Sequence, residues 1–487
     1  MKFKKTTVAS SIILAVLAAQ TGFASAQQMI KDDNPSIQSD FMVEAAGNII
    51  NLTQSAPLGN AIGNEAILMQ EGDFNGQSIT IIGDANIVEA DQFGSDNVIY
   101  GDITGDENSV VIYQDGIEND AEIVIEGSVN EVEISQVGDG GPFGFIFNRS
   151  INDITGDGNV LIVDQGDGGN WANNSINGFD NEVEITQTED WHESYISSLV
   201  GDGNEVEVSQ AGYYNIASFS EITGNDNEVY LESDGEYNRI YGYVFGDDNS
   251  VEFEQSGDDN YAQLGLFEGS DSTAEITQIG TFNDAQIDNL GDDNDYEITQ
   301  IGNDNIGYAG ATGFYNDFSV FQNGDLNLAS TVNFDGFYNE VTLSQEGDEN
   351  TLLAEAGVGE DGPSGFYADD NIIDASQVGN QNDAVIRLGG STPSNFNTLD
   401  VAQTGDLNII DLLIDGSDNT IDIMQEGNDN WVVGEETLAM TITGDGMSLS
   451  ISQVGNDNLV TGSMSGSGGS ISVTQIGDYN VASITQQ

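Results

Sequence analysis

The chain has 487 residues, with 84 acidic against seven basic ones, one histidine, no cysteine and a formal net charge of −77 at pH 7. So acidic a chain repels nucleic acid and anionic lipid and attracts cations, and without cysteine it has no disulfide framework. Such charge with little apolar content would suggest disorder, but 38% of the residues are apolar and they recur in a strict alternation that speaks for a folded core.

At the N-terminus, Lys2, Lys4 and Lys5 precede an apolar run from Val8 to Ala19, and Ala24-Ser25-Ala26 precedes Gln27-Gln28. This is the pattern of a secretory signal peptide over residues 1–26, and its apolar run is shorter than the roughly 18 residues of a membrane span. Cleavage after Ala26 leaves Lys31, Arg149, Arg239 and Arg387 against all 84 acids, a charge of 4 − 84 = −80. The mature chain is therefore expected to be exported and soluble, with no membrane insertion. Residues 27–47 lack the repeat that follows and read as an address, a cap or a tail.

From there Gln-x-Gly-x-x-Asn recurs fourteen times, most often at an interval of 22 residues. Its glutamines are Gln70, Gln92, Gln114, Gln210, Gln255, Gln278, Gln300, Gln322, Gln345, Gln377, Gln403, Gln425, Gln453 and Gln475. The matching turn residues are Gly72 and Asn75, Gly94 and Asn97, Gly116 and Asn119, Gly212 and Asn215, Gly257 and Asn260, Gly280 and Asn283, Gly302 and Asn305. They continue as Gly324 and Asn327, Gly347 and Asn350, Gly379 and Asn382, Gly405 and Asn408, Gly427 and Asn430, Gly455 and Asn458, and Gly477 and Asn480. A fixed period of this size marks a solenoid, in which each unit buries its face only against its neighbours.

Before each Gln the apolar residues share its parity, as in Val132-x-Ile134-x-Gln136, Val206-x-Val208-x-Gln210 and Ile421-x-Ile423-x-Gln425. That period of two is a half-buried strand with the Gln inward. A second, weaker motif lies midway, at Gly83 to Asn86, Gly105 to Asn108, Gly224 to Asn227, Gly246 to Asn249, Gly291 to Asn294 and Gly416 to Asn419. Gly and Asn accept positive φ and are expected to make both reversals. Two residues before these glycines, Ile81, Ile103, Ile125, Ile154, Ile222, Val244, Phe267, Ile414 and Ile442 predict an aliphatic inner column for the second strand.

The fold expected is all-β: a two-sheet β-solenoid of about 18 coils with a 22-residue repeat over residues 48–487, degenerate at Gln136, Gln165, Gln187 and Ser233. Stacked Gln amides at the strand spacing can pair with one another, as buried amides must. Inserts are expected near 139–150, 357–368, 390–396 and 434–442, three of them around Pro142, Pro363 and Pro393, which cannot donate to a central ladder.

The longer pattern Gln-x-Gly-x-x-Asn-x-Ala, present from Gln210 to Ala217, Gln255 to Ala262, Gln278 to Ala285, Gln322 to Ala329, Gln377 to Ala384 and Gln475 to Ala482, resembles the curlin repeat of curli fibre subunits. The resemblance implies an extracellular amyloid subunit of Gram-negative bacteria, secreted unfolded through an outer-membrane pore and polymerised with itself and other curlin-like subunits in biofilm matrix. This chain departs from the family in carrying mostly aliphatic residues where a second Gln is usual, and in having more repeats and far more acid.

His192 stands in the Asn slot of a degenerate unit, Gln187 to His192. With no cysteine and no second histidine it reads as a variant turn residue, not a base or metal ligand. Carboxylate pairs of the kind glycosidases use arise everywhere among 84 acids, so no enzymatic activity and no cofactor are expected. The Gly-Asp turns, among them Gly72-Asp73, Gly257-Asp258, Gly324-Asp325 and Gly405-Asp406, would align carboxylates suited to diffuse calcium binding, though without the nonapeptide spacing of calcium β-rolls. The aromatic turn residues Tyr213, Tyr214, Tyr237, Phe282 and Tyr479 read as cover for turn backbone. The function expected is a structural fibre subunit for matrix and adhesion that grows by templated strand addition; the alternative is a monomeric acidic calcium-binding rod or adhesin.

Overall fold

A computed structural model describes residues 27–487 apart from 33–37, 45–46, 57–61, 139–146, 265–272, 289–294, 313–316, 333, 336–337, 357, 360–361, 364–367 and 436–437. The expected signal segment, the centre of the first insert, Phe267 and the motif from Gly291 to Asn294 lie outside the described residues. Among those described, no helix is long and apolar enough to cross a membrane.

One coil shows the plan. The strand Glu65–Asp73 alternates exposed and buried positions, with Ala66, Leu68 and Gln70 inward. A turn through Phe74 and Asn75 leads to Gly76–Ile82, which buries Gln77, Ile79 and Ile81. A second turn, Gly83 to Asn86, returns the chain to Ile87–Ser95 directly above the first strand, with Gln70 opposite Gln92. Each inner face packs on the other sheet, and each outer face keeps the acidic parity in water.

Among the described residues, repetition of this plan builds two sheets of 22 strands each, every neighbour parallel and in register apart from shifts between Asn174 and Ile176 and between Phe219 and Glu221. Gln92 faces Gln114 in one sheet, and Ile81, Ile103 and Ile125 face one another in the other. Some rungs split in two, as at Glu228–Val229 and Glu232–Glu236, and the pairings branch and rejoin there. The inward residues read from alternation, including Val132, Ile134, Val206, Val208, Ile421 and Ile423, are buried. So are Ile81, Ile103, Ile125, Ile154, Ile222, Ile414 and Ile442.

The second sheet is not wholly aliphatic. Ser150, Asn152, Asn174 and Ser194 are also inward and buried; Asn174 Nδ2 donates to Asn152 Oδ1 at 2.8 Å, and Asn152 Nδ2 to Ser150 Oγ at 2.8 Å. In Arg149–Thr155 the buried parity carries Ser, Asn and Ile while Ile151 takes the other face, so hydropathy alone does not choose the face.

Strand pairing narrows the interruptions. Arg149–Thr155 is in register with Asp120–Glu126, so the break expected at 139–150 ends before Arg149. Met440–Thr443 pairs with the Leu412 to Asp415 stretch, so the end of the insert placed at 434–442 is strand. Near the insert at 357–368, Val358–Gly359 pairs antiparallel with Gly362–Pro363, apart from both large sheets. The loop around Ser391 is pinned by Asp415, which accepts from Ser391 N at 3.0 Å, Thr392 N at 2.6 Å, Thr392 Oγ1 at 2.6 Å and Ser391 Oγ. Burial pushes that carboxyl up, but the four donors outweigh it and hold it below the ordinary Asp range.

The stretch 27–47, which lacks the repeat, nevertheless adds a rung. Gln27–Asp32 pairs with Ile49–Ser55, and Gln38–Glu44 pairs with the strand that starts at Glu65. Backbone pairing needs only extended geometry, so a segment without the motif joins the stack.

Candidate functional site: the amide ladders and the open end

The inward Gln side chains form a hydrogen-bonded column in two runs. Gln70 Nε2 donates to Gln92 Oε1, Gln92 to Gln114, Gln114 to Gln136, Gln136 to Gln165, Gln165 to Gln187 and Gln187 to Gln210, each at 2.8 Å. A second run starts at Gln255, passes through Gln278, Gln300, Gln322, Gln345, Gln377, Gln403 and Gln425 to Gln453, and ends at Gln475, with bonds of 2.7–2.9 Å. Each amide spends its other hydrogen on a backbone carbonyl of the facing sheet, as Gln92 does on Gly76 and Gln300 on Asp284. Within each run the desolvation cost of a buried amide is thus met from one rung to the next. Between the runs sits Ser233, too short to bridge, and both Ser233 Oγ and Gln255 Oε1 are buried without a partner.

The turns differ from expectation in one respect. The fourteen turn glycines, from Gly72 to Gly477, all have positive φ, but none of the asparagines does. The left-handed residue is the one before each Asn: Phe74, Asp96, Glu118, Asp304, Leu326 and Tyr479 at one edge, Ala85, Glu107 and Val129 at the other. Among the described residues, 28 non-glycine residues take this conformation, at a cost of roughly 1 kcal/mol each. At most of them the cost is offset because the N–H meets a carbonyl of the rung below, as Asp96 N meets Asp73 O at 3.0 Å and Val129 N meets Asp106 O at 2.9 Å.

The asparagines are buried and make ladders of their own. Asn97 Nδ2 donates to Gly116 O at 3.1 Å in the rung above, and Asn97 N donates to Asn75 Oδ1 at 3.1 Å in the rung below. The pattern continues through Asn283, Asn305 and Asn327 to Asn458 and Asn480. At the opposite edge Asn64, Asn86, Asn108 and Asn130 do the same; that second Asn column could have been found from the spacing of eleven, had the Asn been read as a bonded core residue. The turn glycines lie under the next rung, and a Cβ on Gly302 would sit 2.0 Å from Gly324 O.

His192 fills an Asn place by imitation. It is buried, its Nε2 lies 2.7 Å from Thr188 O, and its Nδ1 accepts from Asn215 N at 3.3 Å, which assigns the Nε2–H tautomer. Burial lowers its pKa. The turn carboxylates are likewise bonded: Asp325 Oδ1 accepts from Asn303 N at 2.8 Å, Asp348 Oδ1 from Asp325 N at 2.9 Å and Asp406 Oδ1 from Asn380 N at 2.9 Å. Among the described residues no group of three or more acids and histidines is arranged to hold a metal ion.

The outer faces carry the charge. Burial and then the neighbouring Glu89 push Asp91 up to about 6, and burial followed by Glu184, Glu205 and Glu232 raises Glu207. Two scarce cations stand in such columns: Arg387 reaches Glu355 at 3.4 Å and Asp411 at 2.7 Å on adjacent rungs, and Arg149 pairs with Asp120 at 3.4 Å while its guanidinium lies 5.3 Å from the Trp171 ring. Along one turn edge Trp191, Tyr214 and Tyr237 stack face to face at 5.5 and 5.4 Å, with Tyr213 edge-on.

Among the described residues, the coil made by Ser470–Ile476 and Val481–Gln486 pairs on one side only, with Ser448–Val454 and Leu459–Ser465. Ile471, Val473 and Ala482 take inward positions but are only partly buried, and nothing lies above Gly477. Asn480 Nδ2 turns back to Gly477 O at 3.1 Å in its own turn, where other rungs reach the next glycine. Gln475 donates to Leu459 O at 3.1 Å and has no Gln above it.

A stack of identical parallel rungs, tied by three columns of buried amides, defines a β-solenoid repeat protein of structural type. The model of the curlin associated repeat matches six segments, residues 105–138, 178–212, 201–235, 246–288, 395–427 and 416–461, each spanning two positions of the Gln column, so these stretches are similar to curlin-associated repeats. No curated protein matches it.

Proposed function

We propose that this protein is a curli-like fibre subunit, exported to the cell surface of a bacterium through an outer-membrane secretion pore and assembled there into amyloid filaments of the biofilm matrix that mediate adhesion. The observation that carries the reading is the stack itself, in which parallel strands, Gln column and Asn columns repeat so that each rung presents to the next the donors and acceptors it needs. A parallel rung of this kind, wherever it is left exposed, is completed by another strand in register. The aligned outer carboxylates bind calcium diffusely and so lower the repulsion between two chains of the same sign.

Electron microscopy with fibre diffraction of purified protein lacking residues 1–26 tests this. Filaments with a meridional reflection near 4.7 Å are expected. Monodisperse rods that never elongate would refute the fibre reading in favour of a monomeric calcium-binding rod or adhesin.

A further inference from the structure

At seven successive rungs the residue before the turn Asn, or before His192 in its place, is Trp191, Tyr214, Tyr237, Asp259, Phe282, Asp304 and Leu326, and all seven are left-handed. The backbone bond made there needs no side chain: Tyr237 N meets Tyr213 O and Leu326 N meets Asn303 O, just as Asp259 N meets Glu236 O. Asn and Asp adopt this geometry more readily than bulky residues do, so the turn itself does not call for two rings, an indole, a Phe and a Leu. Stacking within the chain accounts for Trp191, Tyr214 and Tyr237. Phe282, between Asp259 and Asp304, and Leu326, between Asp304 and Glu349, are 58% and 53% exposed. Bulky apolar side chains held in water at a disfavoured backbone position mark a contact surface.

The row runs along one edge of the stack for six rung spacings, about 29 Å. A partner meets it at every rung only if it repeats at the same spacing, as a second copy of this chain does. The adjoining flat face does not serve, because Glu184 and Glu207 face one another there and like charges oppose approach. Two copies laid parallel along the edge would set Asp259, Asp304 and Glu349 each against itself. Laid antiparallel about a two-fold at Asp259, only that one like pair remains: Tyr214 meets Asp304, Tyr237 meets Phe282, Trp191 meets Leu326 and Gly169 meets Glu349. The carboxylates beside the row, Asp190, Asp258 and Asp325, each accept from a backbone N–H of the rung below. We propose that this edge is a lateral contact between two copies of the chain, antiparallel about Asp259. A strip about 29 by 10 Å, the width being the spacing of two packed sheets, buries roughly 300 Å² on each copy, against about 800 Å² for a standard interface. Single copies therefore pair weakly, and copies joined in a filament pair firmly through multivalency. The inference adds side-by-side pairing to the fibre reading, and its test needs no filaments.

The chain has no cysteine, so a single one is a clean probe. In the chain lacking residues 1–26, Asp259→Cys treated with a short bismaleimide should give covalent dimers, and Asp226→Cys, left-handed and exposed at the opposite edge, should not. Glu349→Cys, set against Gly169 by the two-fold, should stay monomeric. Adding Phe282→Asn and Leu326→Asn should cut the Asp259→Cys dimer about tenfold. Hydrogen exchange of Ile276–Thr281 and Asp317–Asn323 should meanwhile stay as slow or slow further, because Asn suits the left-handed position. Faster exchange there would make the two side chains cover for the turns and overturn the contact. An Asp259→Cys yield no greater than that of Asp226→Cys would overturn it too, and an equal yield from Glu349→Cys would overturn the antiparallel arrangement. Filaments without the cross-link would leave the fibre reading standing and remove the lateral contact; the cross-link without filaments would do the reverse.

Discussion

Replacing Ser233 by Gln joins the two runs of the column, and its effect can be worked out from the geometry. Ser233 Oγ and Gln255 Oε1 are both buried and unpartnered, while Gln210 Nε2 makes one bond, to Glu193 O at 3.2 Å. A Gln at this rung would accept from Gln210, donate to Gln255, and give its second hydrogen to Ile216 O, the counterpart of the bonds from Gln210 to Glu193 and from Gln255 to Arg239. Three new bonds at about 1 kcal/mol net each, less up to about 2 kcal/mol for fixing a Gln side chain, give about 1 kcal/mol. Relieving an orphaned acceptor adds about 1–2 kcal/mol more, and the lower figure holds where ordered water already bridges the gap. A long repeat array does not unfold as one unit, so native-state hydrogen exchange on Glu205–Tyr213 and Glu254–Asp258 is the right assay. Exchange there should slow by about fivefold to a hundredfold. Faster exchange in Ser233→Gln would show that the rung cannot seat an in-line amide, and the column argument would fail.

Three further outcomes are expected. The triple variant Gln278→Glu, Gln300→Glu, Gln322→Glu loses the donors to the next glutamine and to Tyr261, Asp284 and Ile306 and stacks buried charges, so it should lose several kcal/mol; filament yield and circular dichroism equal to wild type would contradict the inward column. The neutral imidazole of His192 is favoured by burial, so its contribution is intact above the ordinary pKa of about 6.5 and is lost as pH falls below it; His192→Asn should remove that loss from local exchange measured between pH 7 and 5, and an unchanged profile would count against the assigned tautomer. Asp91 works in the opposite sense: its folded pKa of about 6 lies above the ordinary value, so its contribution is full below about 4 and disappears as pH rises through 6, and thioflavin kinetics should show faster assembly in mild acid and in millimolar calcium than in sodium of matched ionic strength, whereas a lag indifferent to both would remove electrostatic gating.

Period and parity in the sequence are enough to specify the strands, the inward Gln of Gln-x-Gly-x-x-Asn and the parallel two-sheet stack, because a 22-residue repeat with alternating apolar residues can bury itself only by coiling in register. Glycine at Gly302 and its equivalents also follows from local rules, since a reversal needs positive φ. What lies between rungs could not be read along the chain. Which turn residue adopts the left-handed conformation is decided by the carbonyl below it, so Val129 and Leu326 accept a geometry their own preferences oppose. The same stacking turns Asn75 and Asn86 from turn formers into buried ladder residues, lets His192 stand in for one of them, and recruits Gln38–Glu44, which has no motif, as a rung. Each of these depends on atoms one coil away, about 22 residues distant in sequence and one strand spacing of about 4.8 Å distant in space, and only the tertiary structure brings them together.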